Sequence, residues 1–277
     1  MRTLWRTTVY LFWQYPILWV PVLLADGIAF CLRTFQAWTT QTVIRDFIAG
    51  HSVLSDAPEP IRAVPVAWAI VFGTARALVE LVNLCLYSAA MIAISILIVA
   101  LLAQTKTSWR QVLLRSNPFR ADVLVFTLKL FGMILVAAFL NIEFVGYLAR
   151  LAFTFSPLEN TAVVGIIYAA IAWLLAPSAI VILRRHKSPP TDSVSLHHAR
   201  NFAAACILVS TAIFLSAEIA RPSFARLLTA VLWARLYWMV ASAATALPYI
   251  LLFIALGLIA NPDSPLAADP EPENLPA

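Results

Sequence analysis

The chain has 277 residues, of which 62% are hydrophobic and 12% charged, with a formal net charge of +5. A water-soluble domain carries about 25% charged and about 45–50% apolar residues, so this composition, with a mean hydropathy of +0.86, excludes an ordinary soluble fold. It leaves an all-α integral membrane protein whose apolar surface meets lipid, and no basic stretch interleaved with aromatics suggests a nucleic-acid partner.

The first apolar run, Leu11 to Leu32, follows Arg2 and Arg6. It is long for a signal-peptide core and no Ala-x-Ala cleavage site follows it, so it reads as a retained first crossing. Pro16 and Pro21 predict a kink in it, and Asp26 lies within it. The segment from Arg33 to Pro65 is more polar and semi-periodic through Ile48, with loop at Asp56-Ala57-Pro58-Glu59-Pro60.

The run from Val66 to Ala103 is too long for one simple crossing, because 38 helical residues span about 57 Å against a hydrocarbon core of about 30 Å. The crossing is placed at Leu81 to Leu102. Val66 to Glu80 is then an interfacial lead-in bent near Gly73, or the start of one long tilted helix. Later crossings are Val123 to Leu140, Ala162 to Leu183, Phe202 to Ala217 and Leu236 to Ile259, making about six. Pro177 and Pro248 fall inside the fourth and sixth, where proline usually bends a membrane helix.

Three stretches ahead of the odd-numbered crossings, Met1–Tyr10, Thr107–Ser116 and Asp192–Asn201, read as short interfacial helices. In the second, Trp109, Val112 and Leu113 share a face while Arg110, Gln111 and Arg115 point away, the pattern of a basic segment seated among headgroups. Pro222 to Arg235 reads as a further interfacial helix on the outer side. With the N-terminus inside, ten lysines and arginines near helix ends are cytoplasmic and seven external, which places both termini in the cytoplasm. Residues 1–260 form a single polytopic domain. Residues 261–277, rich in proline and acid, form a tail too polar to fold.

The segment Trp173-Leu174-Leu175-Ala176-Pro177-Ser178-Ala179-Ile180-Val181-Ile182, followed by Ser188-Pro189 and Arg200-Asn201-Phe202, resembles the fourth-to-fifth helix junction of a six-helix bacterial membrane family. That family includes the membrane domain attached to some glycerophosphodiester phosphodiesterases, together with uncharacterised stand-alone relatives. Ser108-Trp109-Arg110-Gln111 is similar to the family's segment before helix three. The chain departs from the pattern at the basic Arg184-Arg185-His186-Lys187 and has no phosphodiesterase domain. The resemblance implies a six-helix fold in the bacterial cytoplasmic (inner) membrane and implies no activity.

Ionisable groups inside a membrane are costly and mark candidate sites. Four stand out, Asp26, Arg76, Glu80 and Lys129, whose formal charges sum to zero. Arg76 and Glu80 are spaced i,i+4 for a local pair. Lys129 is near enough to the cytoplasmic end of its helix to snorkel. Asp26 cannot snorkel far, so it pairs with a cation or lines a polar cavity; Arg76 is its expected partner and Lys129 the second choice. Asn83, Asn141 and Glu143 read as polar glue between helices.

Cys31, Cys85 and Cys206 sit in apolar runs at spacings that fit neither a zinc site nor a disulfide framework. The adjacent His197 and His198 diverge by about 100° on a helix and do not chelate one metal. No serine lies in a nucleophile motif. No catalytic residue, metal ligand or cofactor is therefore assigned. The leading expectation is a non-enzymatic scaffold or accessory subunit acting on lipids or other membrane proteins, of open oligomeric state. The alternative is a small transporter or lipid-handling permease with Asp26 and the kinked helices lining a path, and an intramembrane enzyme ranks third.

Overall fold

Two prolines decide how the chain enters the bundle. In the computed structural model, α1 (Arg2–Gln14) stops just before Pro16, a 3-10 turn covers Pro16–Leu18, and α2 starts at Val20 and runs to Ser52. Pro16 brings no N–H to extend α1, whereas Pro21 sits in the first turn of α2, where backbone donors have no helical partner in any case. The corner is braced by Trp19, whose Nε1 donates to the Phe12 carbonyl at 2.8 Å and whose ring lies 4.7 Å from that of Phe12. The expected crossing Leu11 to Leu32 is thereby corrected. Leu11 and Phe12 belong to the preceding helix, and the apolar span is Pro16–Thr42.

The structure describes residues 2–52, 63–105, 107–150, 156–184, 193–224 and 231–261. The Asp56–Pro60 loop, the basic run at 185–187 and the acidic tail from 262 lie outside them. Helix α3 (Ala63–Leu102) is 40 residues long and runs unbroken through Gly73, which settles the choice at Val66 to Glu80 in favour of one long helix. It is followed by the short α4 (Trp109–Arg115), capped by the Ser108 side chain accepting from the Gln111 N–H. Then come α5 (Ala121–Arg150), α6 (Pro157–Leu183), α7 (Ser193–Phe224) and α8 (Val231–Ala260). At the start of α6, Ser156 and Glu159 form a reciprocal capping box.

Two expected interfacial segments are corrected here. Most of Asp192–Asn201 is the opening of α7, and the start of Pro222–Arg235 is its end; Val231 to Arg235 opens α8. Neither forms a helix of its own among the described residues, because helical bonding simply continues where the apolar pattern thins.

Among the described residues there is no β-strand, and six helical stretches are long and apolar enough to cross a membrane. Besides Pro16–Thr42 they are Val71–Leu102, Ala121–Asn141, Leu158–Leu183, Leu196–Ala220 and Met239–Ala260. Helix α8 is central and touches α1, α2, α3, α6 and α7. Small residues allow this approach: a Cβ on Gly257 would stand 2.9 Å from Cδ1 of Ile98 on α3. The core gathers at one end of the bundle, from Leu18 and Val22 through Ile94 and Ile98 to Ile180, Ala203, Ile250 and Ile254. Val112 of α4 and Val123 of α5 close that end.

Candidate functional site

Toward the opposite end, three helices each carry polar side chains at two-turn spacing, which puts them on one face. Helix α2 supplies Asp26 and Arg33, α3 supplies Glu80, Asn83 and Tyr87, and α8 supplies Ser242, Thr245 and Tyr249. Because α2 and α3 are consecutive antiparallel neighbours, the two rungs match: Arg33 meets Glu80, and seven residues along each helix Asp26 meets Tyr87. The result is a ladder of polar groups between otherwise apolar helices.

At the deep rung, Asp26 is buried. The Tyr87 hydroxyl donates to its Oδ1 at 2.9 Å, and the Ser242 hydroxyl is shared between Oδ1 and Oδ2 at 3.2 and 3.0 Å. Three helices thus meet on one carboxyl group. Both hydroxyls act as donors, so the two carboxyl oxygens are held from two neighbouring helices. Tyr87 stacks near Tyr249, with ring centroids 5.6 Å apart. From α7, Ser210 donates to the Thr245 carbonyl at 3.0 Å and fastens α7 to the same stretch of α8.

At the shallow rung, Arg33 makes a two-pronged contact with Glu80, Nε to Oε1 at 3.2 Å and Nη2 to Oε2 at 3.0 Å. Asn83 also donates to Glu80, at 3.3 Å. This corrects the expected Arg76–Glu80 pair. A guanidinium arriving from the facing helix forms two parallel charge-assisted bonds, and Glu80 takes it in preference to its i−4 neighbour. Arg76 is exposed and makes no ion pair among the described residues.

The expected Asp26 partner is corrected as well, since hydroxyls rather than Arg76 or Lys129 hold it. Of the four residues singled out from sequence, Asp26 and Glu80 join the ladder. Lys129 lies on α5, whose neighbours are α3 and α6, and is exposed. The hydroxyls of Tyr87 and Ser242 and the guanidinium of Arg33 were missed. Their two-turn spacing was readable, but a single tyrosine or serine in an apolar run carries little signal.

Other polar contacts join helices pairwise. Ser88 and Thr127 are 3.0 Å apart across α3 and α5, and Asn141 donates to Asn160 at 3.1 Å across α5 and α6. The expected glue at Asn141 is thus present, while the side chain of Glu143 lies outside the described residues. Trp173 donates to Asn201 at 3.2 Å and lies 4.7 Å from the Arg200 guanidinium, so α6 and α7 are locked at their junction. His197 bonds Asn201 at 2.9 Å. Among the described residues no group of three or more His, Cys, Asp or Glu is placed to hold a metal.

The architecture is that of a multi-pass helical membrane protein. No family model matches the chain, and neither the curated proteins nor the solved structures include a significant match to it.

Proposed function

We propose that the chain is a non-enzymatic scaffold or accessory subunit that acts on lipids or on other membrane proteins, and that it belongs to the six-helix bacterial family it resembles. In this reading it sits in the bacterial cytoplasmic membrane with both termini inside, and α4 lies in the headgroup plane. The observation that carries the reading is the closure of Asp26 by Tyr87 and Ser242. The buried carboxyl group is engaged in joining α2, α3 and α8, and the packed end below it is filled by the apolar core from Leu18 to Ile254. The α5 crossing adds support: only 11% of its most apolar window is buried inside the bundle, which leaves a broad face for lipid or a membrane partner.

The ladder itself favours a second reading, a small permease, because polar groups descend from Arg33 and Glu80 to Asp26. Thiol access separates the two. In a background lacking Cys31, Cys85 and Cys206, Ser242→Cys in a scaffold resists membrane-impermeant reagents applied from the packed end under every condition. Solute-dependent labelling from that side would establish alternating access and overturn the scaffold. Reporters fused after residue 116 and within 52–62 test the orientation, with cytoplasmic and external signals expected respectively.

A further inference from the structure

At the packed end, a groove of about 940 Å³ opens where α4, the N-terminal end of α5 and the C-terminal end of α6 come together, within the roughly 300–1,000 Å³ typical of ligand pockets. Its polar wall holds Arg115, Asn117, Arg120 and Asp122, and its apolar wall Leu114, Val181 and Ile182. Arg120 donates to Asp122. The Oδ1 of Asn117 accepts from the Phe119 N–H at 2.9 Å, which leaves its NH₂ as a donor. Two guanidiniums, Arg115 and Arg120, and one carboxylate, Asp122, line this wall.

A second, independent feature points to the same occupant. Asp122, Val125 and Lys129 follow i, i+3, i+7 on α5 and all three are exposed, so Lys129 lies on the stripe that leads away from the groove. It has no hydrogen-bond or ion-pair partner among the described residues, and exposed Val125 and Leu128 flank it. A lysine on a lipid-facing stripe carries its ammonium along its stem toward the headgroup level, where lipid phosphates lie. The surroundings are apolar too: Leu113, Leu114 and Phe119 are 64%, 70% and 75% exposed. Cationic heads above apolar walls match a phosphodiester carrying acyl chains, and they match neither a free polar solute nor a neutral lipid.

We propose that this groove binds one anionic glycerophospholipid from the adjacent leaflet, its phosphate held by Arg115, Arg120 and Lys129 and its acyl chains lying along Leu114, Val181 and Ile182. The site stands whether the chain is a scaffold or a permease. Native mass spectrometry and thermal melts of the detergent-purified full chain test it, with phosphatidylglycerol, phosphatidylcholine of the same acyl chains, and inorganic phosphate as separate probes. The wild type should retain one phosphatidylglycerol and melt higher with it alone. Lys129→Leu and Arg120→Gln should each weaken retention about fivefold, and their combination more. Lys129→Leu removes no contact among the described residues, so it should keep the fold, and Arg76→Gln, at the other end of the bundle, should retain the lipid as the wild type does. Equal stabilisation by phosphatidylcholine or by inorganic phosphate, or undiminished retention in the Arg120→Gln, Lys129→Leu double variant, would overturn the proposal.

Discussion

The two ends of the bundle are held by different physics. At the end where α4 sits, large aliphatic side chains interlock with alanines: Ile94, Ile98, Ile180, Ile250 and Ile254 pack among Ala90, Ala176, Ala179, Ala203 and Ala246. Toward the other end, large apolar residues such as Val136, Phe139, Ile166 and Val209 turn outward, and the helices are joined by discrete polar contacts. Lipid is as apolar as leucine, so burying an aliphatic side chain between membrane helices gains packing rather than dehydration. Close packing requires small residues at the contact, and the alanines supply them at one end. Where they are fewer, a small number of hydrogen bonds must set the spacing. The molecule is therefore rigid by shape at one end and by specific partners at the other.

Cavity formation gives the sharpest test of this contrast. Ile254→Ala, at a fully buried position of α8, should cost about 2–5 kcal/mol in a reversible denaturant titration in detergent micelles. Phe139→Ala, 62% exposed on α5, removes a larger side chain and should leave the transition almost unmoved. Comparable losses at the two positions would mean that the open end is covered by further protein in the assembled state.

One tight contact links helices beyond the packed end. A Cβ placed on Gly165 of α6 would lie 2.3 Å from Cγ2 and 2.9 Å from Cβ of Thr211 on α7. Gly165→Ala should thus destabilise by about 1–3 kcal/mol through overpacking. Thr211→Gly in the same chain should recover most of the loss, and Thr211→Ser less of it. An unchanged melting temperature for Gly165→Ala alone would show that α6 and α7 separate there at little cost.

The ladder is expected to respond to chemistry more than to volume. Asp26→Ala strands the hydroxyls of Tyr87 and Ser242 and should cost about 1–3 kcal/mol. Asp26→Asn keeps an acceptor for Tyr87 and should cost much less. A large loss for Asp26→Asn, relieved by removing Arg76, would restore the cation pairing that the sequence suggested. The smallest effect belongs to the shallow rung. The Arg33 and Glu80 side chains are 50% and 38% exposed, and a double-mutant cycle across them should return about 0.2–1 kcal/mol, decreasing with added salt.

Composition and run length alone determined the class. A chain so poor in charge must place its surface in lipid, and six apolar runs of adequate length follow from the thickness of the hydrocarbon core and the rise of a helix. The positions of the later spans were equally legible, because each depends on apolar run length within a few turns; the cap at Ser108 emerged only with the structure. The first crossing was not legible. Whether Pro16 kinks a helix or ends it depends on what stands ready to hold the corner, and the Trp19 bond to Phe12 is made seven residues away. The partners of Asp26 were hidden for a stronger reason. Charge neutrality in one dimension pairs carboxylates with arginines, but Tyr87 and Ser242 lie 61 and 216 residues from Asp26. Only the packing of α2 and α8 against α3 brings two weak donors to a carboxyl group for which the sequence offered a cation or a polar cavity.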